Sequence, residues 1–166
     1  MNLYHIAIHP DSPRIVNAVI EIPKDTNVKY EYDAELGVFK YDRSLLSAMV
    51  YPANYGFIPN TIADDGDPLD IVIYNSMPIQ SGTVVEARPI GILKMIDGGQ
   101  CDHKILAVPT SHVKQHKDIG DIDPQFLKIS SNFFAHYKDL NGSLVEVFEW
   151  EPIDEAHRII NESVKS

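Results

Sequence analysis

The sequence predicts a mainly β fold of the α+β class, in which a closed or nearly closed antiparallel barrel carries two or three helices on its outside. Two observations lead to this prediction. Short runs rich in β-branched and aromatic residues fill most of the chain, and helical spacing is confined to its last third. The length of 166 residues and the apolar content of 44% suit a single domain, residues 1–166, with a hydrophobic core.

The β-type runs predict seven strands. The first is rich in β-branched residues and stops at Pro23, and the second alternates tyrosines with Lys29 and Glu31. Pro89 lies inside the longest run and predicts a bend or bulge there. In chain order the predicted strands span residues 14–22, 28–32, 37–41, 70–74, 83–96, 103–108 and 144–150.

Two helices are predicted near the end of the chain. Asp123-Pro124 is typical of a helix start, residues 125–140 have apolar side chains at helical spacing, and Asn141-Gly142 supplies a stop. Residues 155–164 are predicted to form a terminal helix.

Composition narrows the classes of function. The 24 acidic residues outnumber the 14 Lys and Arg residues, and the net charge of −10 disfavours binding to nucleic acid. The single cysteine, Cys101, cannot form an intrachain disulfide and fits a reducing compartment. No secretory signal and no apolar run of about 20 residues is found. We therefore expect a soluble, cytoplasmic protein without a membrane partner.

An acidic run, Asp65-Gly66-Asp67-Pro68-Leu69-Asp70, carries the strongest signal. Gly66 permits a tight turn, Pro68 keeps Asp67 extended, and Asp70 opens a strand. Two carboxylates about 4 Å apart repel by about 4 kcal/mol at an effective dielectric near 20, and a divalent cation removes that conflict. A solvated acidic turn is the alternative, and it is the one favoured for the neighbouring Asp64.

The ligand chemistry of this run favours Mg²⁺. Oxygen donors suit hard cations, and an EF-hand is excluded because its twelfth position would be Ser76. A second loop places Asp97 and Asp102 around Gly98-Gly99-Gln100-Cys101, and Lys104 lies about 6.6 Å beyond Asp102 on the same face of a strand. A solvated strand face is the alternative here, as it is for Lys29 and Glu31.

These blocks together resemble the family I soluble inorganic pyrophosphatases of the bacterial type. The family signature Asp-x-Asp-Pro-x-Asp reads here as Asp65 to Asp70. Other blocks of the family follow the same order along the chain, and they are Ile20-Glu21-Ile22-Pro23, Lys29-Tyr30-Glu31, Asp42-Arg43, Tyr51-Pro52 with Asn54-Tyr55-Gly56, Lys94-Met95 with Asp97, Asp102-x-Lys104 and His136-Tyr137-Lys138-Asp139.

The resemblance implies an OB-like five-stranded barrel and the hydrolysis of pyrophosphate to two orthophosphates by a metal-activated water, with several Mg²⁺ ions in each site. It implies that Mn²⁺ or Zn²⁺ can substitute for Mg²⁺ and that Ca²⁺ inhibits. It also implies that Tyr51 contacts the site residues without itself binding metal or substrate. The implied metal ligands are Asp65, Asp70, Asp97, Asp102, Glu21 and Glu31. Asp67 would be the general base, Tyr55 would lie near the nucleophile, and the phosphates would be bound by Lys29, Arg43, Tyr55, Lys104, Tyr137 and Lys138.

Three further expectations follow. The family is often hexameric in bacteria, so a homohexamer is expected, with a contact at His136 and Asn132. The uncharged loop between Asp97 and Asp102 departs from the family pattern and makes the affinity for accessory metals uncertain. His112 and His116 have the spacing of a zinc pair, but no third ligand is evident and an exposed pair is favoured.

Other classes of function stay open at the level of sequence. One is a Mg²⁺-dependent hydrolase of another phosphoanhydride, although the chain has no nucleotide-binding glycine motif. Another is a nucleic-acid-binding barrel, which the net charge disfavours. A third is an inactive structural relative, against which stands the presence of every expected acid and base.

Overall fold

The computed structural model describes residues 2–112 and 114–165. Within these residues the chain forms nine strands and two α-helices. The strands are β1 (Val16–Ile22), β2 (Val28–Asp33), β3 (Val38–Ser44), β4 (Asn54–Phe57), β5 (Asp70–Ile73), β6 (Val84–Asp97), β7 (Gln100–Cys101), β8 (Lys104–Pro109) and β9 (Val145–Pro152). The helices are α1 (Pro124–His136) and α2 (Ile153–Ser163).

Five strands close into a ring. β1 pairs with β4, β4 with β5, β5 with β8, β8 with β6, and β6 again with β1. The prediction of a mainly β fold with a five-stranded barrel is therefore confirmed. The expectation that all its strands are antiparallel was wrong at one pair, because β5 and β8 run parallel. The long strand β6 intervenes in the sequence between these two strands and reverses the chain direction.

Strand β6 holds the sheet together because it pairs along its length with β1, β7, β8 and β9. Its pairing with β8 shifts register between Pro89 and Gly91, which confirms the irregularity predicted at Pro89. Strands β2 and β3 form a separate two-stranded sheet beside the barrel.

Two strands were not predicted. β4 lies in a segment rich in aromatic and turn-forming residues, where Gly56 lets the backbone approach β1 so closely that a Cβ would lie 1.8 Å from the carbonyl oxygen of Val19. β7 is a two-residue strand within the glycine-rich loop, and it pairs antiparallel with the end of β6. The predicted helix over residues 125–140 ends earlier, at His136, and a short 3₁₀ turn over Asp139–Asn141 follows it.

Side chains on the two faces of the strands pack into the two largest apolar clusters of the fold. One cluster joins Val72, Leu93 and Leu106 to Phe133 and Phe134 of α1. The other joins strand residues that include Ile71, Ile92 and Ile105 to Ala156 and Ile160 of α2. Helix α1 therefore covers one face of the sheet and brings its C-terminal end toward the cleft described below. In the part of the chain that the structure describes, no helix is long and apolar enough to cross a membrane.

Candidate active site

An open cleft of about 460 Å³ lies where the barrel meets the end of α1 and the acidic loop. It gathers twelve of the thirteen residues that the sequence predicts as site residues, although they come from six strands, two loops and the end of a helix. These are Glu21, Lys29, Glu31, Tyr55, Asp65, Asp67, Asp70, Asp97, Asp102, Lys104, Tyr137 and Lys138. The thirteenth, Arg43, is not among the residues that line the cleft.

Arg43 is held beside the cleft by an ion pair. It is the register partner of Lys29 on the hairpin of β2 and β3, and its Nη1 donates to Oδ2 of Asp42 at 2.7 Å. The same carboxylate oxygen lies 3.5 Å from Nζ of Lys29, which does line the cleft. Arg43 is therefore connected to the cleft through the carboxylate of Asp42, which lies near both Arg43 and Lys29.

The acidic run is a turn that leads into a strand, as predicted. Gly66 adopts a left-handed φ of 91°, the backbone N–H of Asp67 donates to Oδ1 of Asp65 at 3.0 Å, and Asp70 is the first residue of β5. Asp65 and Asp67 are exposed, and Asp70 is half-buried. Partial burial, with the neighbouring carboxylates of Asp65 and Asp70, raises the pKa of Asp67.

Lys104 lies at the centre of the cleft and pairs with two carboxylates. The parallel register of β5 and β8 sets Lys104 opposite Asp70, and its Nζ lies 2.5 Å from Oδ2 of Asp70 and also bonds Oδ1 of Asp102. Lys104 is only 1% exposed, and its ammonium group lies 5.6 Å from the centre of the Tyr55 ring. Burial alone would lower the pKa of Lys104, but Asp70 and Asp102 outweigh that effect and raise it.

Asp102 is the more deeply placed partner of Lys104, with 16% of its side chain exposed against 24% for Asp70. Burial raises the pKa of Asp102 to about 6, although the charge of Lys104 opposes the shift. Asp102 and Lys104 share one face of the chain, as predicted from their spacing, and the structure adds Asp70 from the adjacent strand.

The far side of the cleft repeats this pairing of acid and base. Lys138, just after α1, bonds Oδ2 of Asp97 at the end of β6, and Lys29 bonds Oε1 of Glu31 within β2. Glu21 accepts a backbone hydrogen bond from Tyr32 at 2.9 Å. Burial nevertheless raises the pKa of Glu21 to about 8.

Three tyrosines form the floor of the cleft against α1. Tyr51 is buried, with its ring 5.6 Å from that of Tyr55 and 6.4 Å from that of Tyr137. Burial raises the pKa of all three hydroxyls, and the charge of Asp70 adds to the shift in each. These hydroxyls are therefore protonated donors at neutral pH.

The donor set fits a hard divalent cation, because the cleft presents carboxylate oxygens from seven acidic residues. Among residues 2–112 and 114–165, no three His, Cys, Asp or Glu side chains are assembled as a metal-binding group. Lysine ammonium groups pair with four of these carboxylates: Asp70 and Asp102 share Lys104, Asp97 pairs with Lys138, and Glu31 pairs with Lys29.

Several cleft residues were missed by reasoning from the sequence. Tyr4 comes from the N-terminal segment, and its hydroxyl donates to the carbonyl oxygen of Tyr32 at 3.2 Å; burial, with Glu21 and Asp67 nearby, raises its pKa to about 12. Phe134 was assigned only to the helix pattern, and no sequence signal marked Tyr4. Gln100 and Cys101 belong to the glycine-rich loop and also line the cleft.

Two further predictions from the sequence, on Asp64 and on the pair His112 and His116, concern residues outside the cleft. Asp64 is exposed, as expected, and lines a neighbouring cavity of about 340 Å³ that Cys101 also lines. His112 ends a 3₁₀ turn and His116 packs edge-on against Tyr74, with ring centres 5.2 Å apart. Val113 between the two histidines lies outside the described residues.

The fold and the cleft define a class: an OB-like barrel that presents a polar cleft of interleaved carboxylates and lysines. Comparison with known proteins identifies the family. Residues 18–166 match the family described as inorganic pyrophosphatase, and the chain belongs to that family. The resemblance drawn from the sequence motifs is thereby confirmed.

Relatives and solved structures agree with this assignment. The chain is 42% identical over 171 aligned residues to an inorganic pyrophosphatase of Nostoc sp., with 100% of this chain and 99% of the relative covered. It is 46% identical to that of Halalkalibacterium halodurans, with 90% and 93% covered. The crystal structure of inorganic pyrophosphatase from Thermus thermophilus superposes with a TM-score of 0.95 at 37% identity, covering 99% of this chain and 97% of that one.

Proposed function

We propose that this chain hydrolyses inorganic pyrophosphate to two orthophosphates in the cleft between the barrel and α1. The family match and the named relatives support an inorganic diphosphatase activity. The observation that carries the proposal is the central pairing of Lys104 with Asp70 and Asp102, which sets a phosphate-binding cation among carboxylates able to hold metal ions.

Mg²⁺ is the proposed cofactor. Asp65, Asp70 and Asp102 would hold a first ion, and Asp97, Glu21 and Glu31 would serve the ions that arrive with the substrate. Bound Mg²⁺ supplies charge neutralisation and lowers the pKa of water in the site. Mn²⁺ or Zn²⁺ would substitute, and Ca²⁺ would inhibit because its coordination is larger and looser.

The lysines would exchange partners when substrate binds. Lys29, Lys104 and Lys138 each pair with a carboxylate that would hold a metal ion, and each ammonium group would donate to phosphate oxygens of the bound substrate. Arg43 would join them by turning its guanidinium group away from Asp42. The acidic protein thus acquires an anion-binding site.

Asp67 is the proposed general base, and it would take the proton of the attacking water. Its exposed position at the mouth of the cleft leaves the carboxylate open to solvent and to the attacking water. The hydroxyls of Tyr55 and Tyr137 stay protonated and would donate to phosphate oxygens as negative charge develops.

Phosphate release is the direct test. Pyrophosphate, ATP and a phosphomonoester are offered with Mg²⁺, and then with EDTA in place of Mg²⁺. We expect a strong preference for pyrophosphate and no turnover in EDTA. Equal rates on ATP and pyrophosphate would point to the broader phosphoanhydride hydrolase and would defeat the proposal.

We also propose that the protein assembles as a homohexamer in the cytoplasm. Asn132 and His136 lie on one face of α1 with Ile129, which is 49% exposed, and this face is the proposed contact. The free thiol of Cys101 fits a reducing compartment. Size-exclusion chromatography with light scattering tests the assembly, and a monomer near 18.7 kDa would contradict it.

A further inference from the structure

One buried hydroxyl closes the base of the acidic loop. Thr61 is 1% exposed, and its Oγ1 donates to the carbonyl oxygen of Ile58 at 2.6 Å and accepts from the backbone N–H of Leu69 at 2.8 Å. The N–H of Ile58 donates to the carbonyl oxygen of Leu69 at 2.9 Å. Both polar backbone groups of Leu69 are therefore fixed directly before Asp70.

The rest of the loop depends on the same short segment. The N–H of Ala63 donates to the carbonyl oxygen of Asp67 at 2.7 Å, and the N–H of Gly66 donates to the carbonyl oxygen of Ala63 at 3.0 Å. Asp65, Gly66 and Asp67 are exposed, so side-chain packing does little to hold the tip. The location of Asp67 therefore follows from where residues 61–63 lie.

The C-terminal residues hold that segment from the other side. Thr61 forms an antiparallel bridge with Val164, and the N–H of Ile62 donates to the carbonyl oxygen of Ser163 at 2.7 Å. The N–H of Lys165 donates to the carbonyl oxygen of Asn60 at 2.9 Å. The segment thus lies between the acidic loop and the end of α2.

We propose that Thr61 is a positioning residue for the site: its hydroxyl, backed by the C-terminal bridge, holds the 63–69 loop so that Asp65, Asp67 and Asp70 converge. In the proposed function the carboxylates would touch metal and water, whereas Thr61 would act only through the backbone of Leu69. The link to catalysis rests on the proposed function, but the link between the hydroxyl and loop order does not.

The test compares Thr61→Val, which removes the hydroxyl at nearly constant volume, with Thr61→Ser, which keeps it. The readouts are amide hydrogen exchange over residues 61–70, Mg²⁺ affinity by calorimetry without substrate, and kcat and KM for pyrophosphate. In Thr61→Val we expect faster exchange in the loop with unchanged exchange in β6 and β8. We also expect the Mg²⁺ affinity and kcat each to fall by roughly tenfold, with a smaller change in KM. A tenfold change is what the loss of about one good hydrogen bond produces.

Lys165→Pro provides a second perturbation if Thr61→Val does not fold. It removes the N–H that bonds Asn60, and Lys165→Ala is its matched control because it removes the charge and keeps the N–H. We expect amide hydrogen exchange in the loop to be faster in Lys165→Pro than in wild type and unchanged in Lys165→Ala.

The outcomes separate the two proposals. Unchanged loop exchange and Mg²⁺ affinity in Thr61→Val, or equal losses in Thr61→Val and Thr61→Ser, would overturn the role of the hydroxyl. A wild-type protein inactive on pyrophosphate would instead overturn the proposed function, and the exchange data would still decide the positioning role.

Discussion

Replacing Lys104 with Met should expose the repulsion that this lysine suppresses. Oδ2 of Asp70 and Oδ1 of Asp102 each lie 2.5 Å from the same nitrogen, so they are at most 5.0 Å apart. Two carboxylates at that separation repel by about 3 kcal/mol at an effective dielectric near 20. Met matches the length of the buried lysine stem, so the loss of charge dominates. We expect the free energy of unfolding to fall by about 3 kcal/mol without metal.

Urea unfolding in EDTA measures this change, with the fluorescence of Trp150 as reporter. Trp150 is the chain's single tryptophan and bonds Leu127 and Ser131 of α1 through its Nε1. The control is Lys94→Met, which breaks an ion pair with one carboxylate, that of Glu155, and should cost about 1 kcal/mol or less.

The pH dependence of the Lys104→Met effect has a definite sign. Without the lysine, its charge no longer opposes the burial that raises the pKa of Asp102, so the folded state binds more protons than the unfolded state. Stability is therefore lost as pH rises, and the deficit should be larger at pH 8 than at pH 5. Added Mg²⁺ should reduce the loss of stability in Lys104→Met if a divalent cation replaces the ammonium group between the two carboxylates. Equal urea midpoints for the variant and wild type at pH 8 in EDTA would refute the reasoning.

Three further outcomes are expected. Asp67→Asn should fold and retain most Mg²⁺ affinity but lose most pyrophosphate hydrolysis, measured beside Asp64→Asn on the same loop; full activity in Asp67→Asn would remove it as the base. Gly56→Ala should lower the free energy of unfolding by about 3 kcal/mol or more, because the new Cβ would meet the carbonyl oxygen of Val19 at 1.8 Å, and a thermal melt matching wild type would contradict this. His157 has a buried Nε2 without a hydrogen-bond partner in the described part of the chain. Burial lowers its pKa, Asp154 opposes the shift, and Arg88 and Arg14 add to it. The folded state therefore binds fewer protons, so stability should fall as pH drops below about 6.5, and less so in His157→Gln; identical pH profiles would count against it.

The acidic loop shows which features of the site can be predicted from local sequence. Its turn follows from Gly66 and Pro68, and its entry into a strand follows from the apolar residues after Asp70, so both were predictable from neighbours in the chain. The strands β2 and β3, the irregularity at Pro89 and both helices follow from equally local patterns.

The pairing at the centre of the cleft was not predictable in this way. Asp70 and Lys104 meet because β5 and β8 run parallel in one register, which depends on ring closure by β1 and β6. Tyr4 and Phe134 reach the cleft only because the N-terminal segment and α1 pack against the barrel. Lys29 likewise reaches the carboxylate of Asp42 only because β2 and β3 pair.

The sequence by itself thus determined the local conformations and the set of chemical groups, because turns, caps and strand patterns depend on residues a few positions apart. Only the tertiary structure decided that Asp70 meets Lys104, that Asp97 meets Lys138, and that Val164 is bridged to Thr61, a threonine outside every motif. Those contacts join residues far apart in the chain, and strand register and closure, rather than local preference, set their distances.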